Sequence, residues 1–318
     1  MYTPFILGAK IYLCSKYFAM IQTHIGEFAA LSVAICWTFS AIAFESASKI
    51  VGSLAVNLLR LILAFLFLSL FSYFYRGVVL PTDATSYQWF WLSLSGLVGF
   101  VIGDLCLFKS FTIIGSRMAM LIMTLAPPIA AFTGWFFLGE NLSWWSILGI
   151  SLTIFGISLA VISHNPEQEK LKLNMPLKGF LLALGGAIGQ AFGLILSKKG
   201  MAGYDAFSAT QIRIITGIVG FSAIIFFMGR TTQTFKALNS RKGMTGISIG
   251  SIFGPFLGVS LSLVSLKYTA TGIAATIMAT TPILIIPASV LFFKQKITLK
   301  EIIGAIISVI GVALFFIK

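Results

Sequence analysis

Three ionisable residues lie well inside apolar stretches of the chain: Arg60, Asp104 and Arg213. A charge held in hydrocarbon is costly, so such residues mark a solute pathway, a coupling group or each other's partners. Asp104 is the one acid set deep within an apolar run. It reads either as the neutralising partner of a nearby cation or as a group that binds a proton or a substrate. Arg60 lies about seven residues from its nearest loop and Asp104 about eight, which is roughly 10–12 Å of helix in each case. Those two loops are two crossings apart and share a face of the membrane, so the opposite charges are predicted to meet. Arg213 also lies about seven residues into its run, and no acid in its half of the chain sits at that depth. It is expected to face a cavity and hold a substrate carboxylate.

A second set of polar residues is carried at helical spacing. Val33, Trp37, Ser40 and Phe44 fall on one face of one helix, and Gly186, Gln190, Gly193 and Ser197 fall on one face of another. Trp37 and Gln190 are expected to meet near the middle of the membrane, where an aromatic ring and an amide suit an organic solute. The alternative is a Trp packed in the bundle and a Gln bonded to a neighbouring helix. Reaction chemistry is not readable from the sequence. His24 and His164 sit at the ends of apolar runs, and no HExxH, GxSxG or nucleotide-binding glycine loop occurs. Cys14, Cys36 and Cys106 are not at metal-ligand spacing. No catalytic residue, metal or cofactor is expected.

The elements that position these residues follow from composition. Of 318 residues, 58% are hydrophobic and 10% charged, and the mean hydropathy is +0.99. Soluble domains are about 25% charged, so a long soluble domain is excluded, as are a disordered chain and a disulfide scaffold. Spans of roughly 20 residues are predicted at 26–47, 54–75, 88–111, 114–138, 144–163, 177–198, 207–228, 244–266, 270–293 and 298–317. The fold class is therefore an all-α integral membrane protein of about ten transmembrane helices. Trp89, Trp91, Trp144 and Trp145 open two of the spans at belt positions. Residues 1–23 form an N-terminal extension interrupted by Lys10 and Lys16, which reads as an interfacial helix or as residues ahead of a start at Met20. The net charge of +13 is scattered through the loops, which fits anchoring at the bilayer and not nucleic-acid binding.

The chain repeats itself. Gly26 and Arg60 recur 153 residues on as Gly179 and Arg213; Gly99, Gly103, Pro127 and Gly149 recur 155 residues on as Gly254, Gly258, Pro282 and Gly304. Two five-span units follow, at 24–163 and 177–318, joined by a polar linker at 164–176. An odd number of spans makes the second unit inverted relative to the first, an arrangement found in many secondary transporters. Gly99 and Gly103 in one unit, and Gly250, Gly254 and Gly258 in the other, are spaced for close helix packing or for a hinge. Pro127 and Pro282 are predicted to bend equivalent spans, as a gate or as a static kink. Asp104 breaks the symmetry, because its counterpart is Val259.

The stretch LIMTLAPPIAAFTGWFFLGENLSWWSILGISLTIFGISLAV at 121–161, repeated in outline at 277–315, resembles the EamA domain of the drug/metabolite transporter superfamily. Lys294-Gln295 stands where the first unit has Gly139-Glu140. The resemblance implies a ten-helix inverted-repeat basket that moves small organic metabolites across the plasma membrane, often outward, by alternating access. Its partners are then a small-molecule solute and the lipid bilayer, with no nucleic acid, in a monomer or homodimer of the bacterial inner membrane. The alternatives are an uncoupled channel or facilitator and, less in keeping with the residues, an intramembrane enzyme. The resemblance places both termini inside, whereas the basic-residue count places them outside.

Overall fold

The structure is a computed structural model, and it describes residues 24–138, 144–165, 170–173, 175–268, 274, 277–294 and 297–314. The N-terminal extension, Gly139, Glu140 and Gln295 fall outside the described residues. The first half comprises α1 (Ile25–Val51), α2 (Ser53–Arg76), α3 (Ser86–Gly96), a π-helical segment (Leu97–Gly103) and α4 (Asp104–Ile122). A 3-10 turn (Met123–Leu125), α5 (Ala126–Leu138) and α6 (Trp144–Val161) complete it. The linker pairs as a short antiparallel hairpin, β1 (Ile162–Asn165) with β2 (Lys170–Leu173). The second half comprises α7 (Leu177–Gly200), α8 (Ala206–Phe227), α9 (Thr231–Leu238), α10 (Arg241–Ser251), a second π segment (Ile252–Gly258), α11 (Val259–Tyr268), α12 (Thr281–Phe293) and α13 (Leu299–Leu314).

Among the described residues, six helical runs are long and apolar enough to cross a bilayer: Ile25–Val51, Ser53–Arg76, Ser86–Ala130, Leu177–Gly200, Ala206–Phe227 and Arg241–Tyr268. Shorter apolar helices accompany them. The protein is thus a helical membrane protein, and its lipid-facing character is visible in the exposed Leu66, Leu70, Phe226 and Phe227 and in the belt residues Trp144 and Trp145. The run Ser86–Ala130 has 45 residues, about 68 Å at helical rise, roughly twice the hydrocarbon thickness. It turns at Gly115, whose φ of 78° and ψ of 162° are non-helical. The loop expected at 112–113 is therefore this glycine, because left-handed φ costs a residue with a Cβ about 1–2 kcal/mol.

Local chemistry sets the other boundaries. Thr85 and Gln88 form a capping box at the start of α3, Asp205 caps α8 through Ser208 N–H, and Ser240 caps α10 through Gly243 N–H. Each satisfies an orphan donor of the first turn. Gly52, at φ 86°, is the single residue joining α1 to α2. The helix α9 lies where only a loop was expected. Pro127 and Pro282 take different places. Pro127 follows the 3-10 turn Met123–Leu125 inside the continuous run Ser86–Ala130, whereas Pro282 lies in the first turn of α12. Proline is tolerated there, where its missing N–H would have had no partner.

The halves pack by exchange. The helix α1 lies against α10, the second π segment, α11 and α12; α7 lies against α3, the first π segment, α4 and α5. The pairs α2 with α8 and α6 with α13 also cross between halves.

Candidate functional site

The polar centre is built by α2, the first π segment, the start of α4, α7 and α8. Arg60 Nη2 pairs with Asp104 Oδ2, and each residue is no more than 4% exposed. This is the contact that their shared depth predicted. Asp104 Oδ1 accepts from Gln190 Nε2 at 2.9 Å. Arg60 Nε donates to Asn57 Oδ1 at 3.1 Å, and Asn57 Nδ2 reaches the Asp104 carbonyl at 3.4 Å. Asn57 is fully buried. The Arg60 guanidinium also lies 4.4 Å from the Phe108 ring centroid, 5.5 Å from Phe44 and 5.8 Å from Phe100, all within cation–π range.

Arg213 enters the same centre from α8. Its guanidinium lies 4.7 Å from the Phe100 ring centroid, so one ring serves both arginines. The backbone of α8 approaches α3 so closely here that a Cβ on Gly96 would lie 2.5 Å from the Arg213 carbonyl. Arg213 is 4% exposed, and its Nε has no hydrogen-bond partner among the described residues.

Close backbone approach holds this centre in place. A Cβ on Gly189 would sit 2.5 Å from the Gly103 Cα, and one on Gly193 would sit 2.9 Å from the Gly99 Cα. Only glycine pairs let α7 reach the π segment, and that approach carries Gln190 to Asp104. In the other half the corresponding glycines face rings. A Cβ on Gly250 or Gly254 would meet Phe44, and one on Gly258 would lie 2.9 Å from Trp37 Cδ1.

Trp37 and Gln190, expected to meet, each have a close neighbour of their own. Trp37 lies against Gly258, and Gln190 is drawn to the Asp104 carboxylate, a stronger acceptor than an aromatic face. Ser197 is spent on packing: its hydroxyl donates to the Gly193 carbonyl and pairs with Ser95 Oγ at 2.7 Å. Ser40 donates to the Trp37 carbonyl at 3.2 Å. The Ser197 hydroxyl thus ties α7 to α3, while the Ser40 hydroxyl is taken up within α1.

The sequence reading missed three polar groups. Glu45, fully buried, accepts from Ser116 N–H at 2.6 Å and pairs with Lys49. It thereby caps the helix that restarts after Gly115. Arg117 pairs with Glu301 across the halves at 3.2 Å. Between α2 and α8, Arg76 pairs with Asp83, donates to Ser208, and lies 4.0 Å from Asp205. Tyr204 donates to Asp83 Oδ1 at 2.8 Å. Burial alone would raise Asp83, but the hydrogen bonds from Arg76 and Tyr204 outweigh it and hold the carboxyl below its ordinary value. Burial, with the adjacent Asp83 carboxylate, pushes the Tyr204 phenol up to about 12. A run of Arg76, Asp83 and Asp205 flanking two span ends was the available signal.

Fold and site together define a multi-pass helical membrane protein with a buried charged centre between two similar halves. The EamA-like transporter family matches residues 24–162 and 177–317, and the chain belongs to that family. It is similar to an uncharacterized transporter of Bacillus subtilis, YvbV, at 26% identity over 61% of this chain and 60% of that protein. It is also similar to an uncharacterized transporter of Archaeoglobus fulgidus, at 22% identity over 90% of this chain and 95% of that protein. A solved crystal structure superposes with a TM-score of 0.62 at 15% identity, covering 91% of this chain and 97% of that one. At that identity the likeness is one of fold. The chain is a membrane transporter of the drug/metabolite transporter superfamily.

Proposed function

We propose that the chain is a secondary transporter that exports a small organic metabolite across the plasma membrane by alternating access, with ten spans in two inverted five-helix repeats. The exchanged packing carries this reading. The first helix of each half lies on the third span of the other half, and both third spans hold a seven-residue π segment at positions 155 residues apart. π segments cluster at functional sites, and two related contacts of this kind supply one state open to each side. Arg60, Asp104, Gln190 and Arg213 form the polar centre of the pathway, Trp37 and Ser40 flank its counterpart, and the 3-10 turn before Pro127 and the helix start at Pro282 are points of bending. Counterflow tests the reading. Liposomes carrying the purified protein and loaded with unlabelled amino acids and other small metabolites should transiently accumulate a labelled solute above equilibrium. Equilibration without overshoot, for every solute carried, would favour an uncoupled channel.

A further inference from the structure

We propose that the transported solute bears a single negative charge on a carboxylate or another singly charged oxyanion, and that Arg213 holds it. The proposal rests on the transporter reading above and names the substrate class of that site.

Asp104 has both carboxylate oxygens engaged, Oδ2 by Arg60 and Oδ1 by Gln190. Arg60 has its carboxylate partner and Asn57 besides. Arg213 is buried to the same degree, 4% exposed, yet has no carboxylate within ion-pair distance among the described residues, and its Nε is unpartnered. What the structure gives it is the Phe100 ring at 4.7 Å. The cluster of two guanidiniums and one carboxylate therefore carries a net charge of +1. An unpaired cation at this depth is costly, and a guanidinium presents a planar fork that matches an oxyanion in two-point contact.

Charge and shape then narrow the solute. One negative charge brings the cluster to zero, whereas a doubly charged phosphate ester would leave it at −1. The guanidinium reaches this position because residue 99 has no side chain: a Cβ there would lie 3.3 Å from Arg213 Nη2. The surroundings of Phe100, namely Leu61, Ile214 and Phe221, are apolar and buried, which suits a solute with an apolar body. The loaded site is neutral and the empty one cationic, so exchange of one anion for another should outrun net efflux.

Melting of the purified full-length protein in detergent tests this, with sodium benzoate and sodium hexanoate as probes. Benzamide, hexanamide and inorganic phosphate are the comparators. The carboxylates should raise the melting temperature by about 2–4 °C at concentrations well above Kd, and the amides and the largely dianionic phosphate should not. Arg213→Gln should erase the response, Arg213→Lys should keep part of it, and Gly99→Ala should weaken it through a methyl group beside Nη2. Equal stabilisation by acid and amide, no stabilisation by either acid, or an undiminished response in Arg213→Gln would each overturn the proposal. Counterflow of neutral solutes alone would also overturn it while leaving the transporter reading intact.

Discussion

The third span of the first half and the third span of the second share a register, a π segment and a glycine ladder, yet they are packed by different means. In the first, Gly99 and Gly103 lie backbone to backbone against Gly193 and Gly189 of α7. In the second, Gly250, Gly254 and Gly258 lie under the rings of Phe44 and Trp37 of α1. The first ends its π segment on Asp104, and the second ends on Val259. One frame thus carries a rigid charged contact on one side and a ring-filled apolar contact on the other. A flexible ring can shift where a backbone cannot, so the second contact is the cheaper one to remake as a transporter changes state.

The largest effect expected from this difference is at the charged end. Asp104→Leu strands Arg60, and losing one partner of a buried pair costs about 3–5 kcal/mol. Folded yield should fall sharply for Asp104→Leu and for Arg60→Leu, and the double change should recover part of it. A double variant as poor as the two losses combined would break the pairing. The matched change Val259→Ala should cost only about 1 kcal/mol in thermal melting.

Next come the glycines. Gly189→Ala forces a Cβ to within 2.5 Å of the Gly103 Cα, where only backbone can move, and overpacking of this kind costs about 1–3 kcal/mol. Gly254→Ala meets Phe44 and Ser40 side chains at 3.0 and 3.3 Å and should cost less. If the two variants melt alike, the contrast between backbone and ring packing is wrong.

Much of this was legible in the sequence, for physical reasons that differ by residue. Arg60 and Asp104 could be paired because depth along a helix is a simple count and charge at depth demands a partner. The face that carries Gln190 is readable from helical spacing, but its bond to Asp104 depends on how closely α7 approaches the π segment, which the Gly189 and Gly103 contact fixes. Glu45 was unreadable for a similar reason. It lies near the end of its span, and the donor it serves, Ser116 N–H, is exposed only because the chain breaks at Gly115. Neither π segment has a periodicity distinct from the α-helix around it, although Pro255 lies inside the second one.

A smaller effect belongs to the cluster between α2 and α8. Asp83 has a folded value below its ordinary one. Its contribution to stability is therefore present above the ordinary carboxylate value and lost as pH falls through the lowered one. Asp83→Asn should flatten the acid limb of a melting-temperature profile, and an unchanged limb would place the acid sensitivity elsewhere. Tyr204 should stay protonated past pH 10, since its phenol is pushed up to about 12, as absorbance titration of phenolate would read.

The smallest effect expected is at Lys294, the one non-glycine residue with positive φ among those described, at 51°. It stands where the first half has Gly139. Lys294→Gly should stabilise by about 1 kcal/mol, and destabilisation would show that the side chain makes up for its backbone.

The central claim is that two similar halves lie inverted in the membrane, and side-specific labelling reaches it most directly. Thr82, between α2 and α3, and Gln233, in α9 at the corresponding point of the second half, are both exposed. With Cys14, Cys36 and Cys106 replaced, a single cysteine is placed at either position and treated with a membrane-impermeant thiol reagent in sealed vesicles. Five crossings should separate the positions, so the two cysteines should label from opposite sides of the membrane. Labelling of both from the same side would contradict the inverted repeat and, with it, the alternating-access reading.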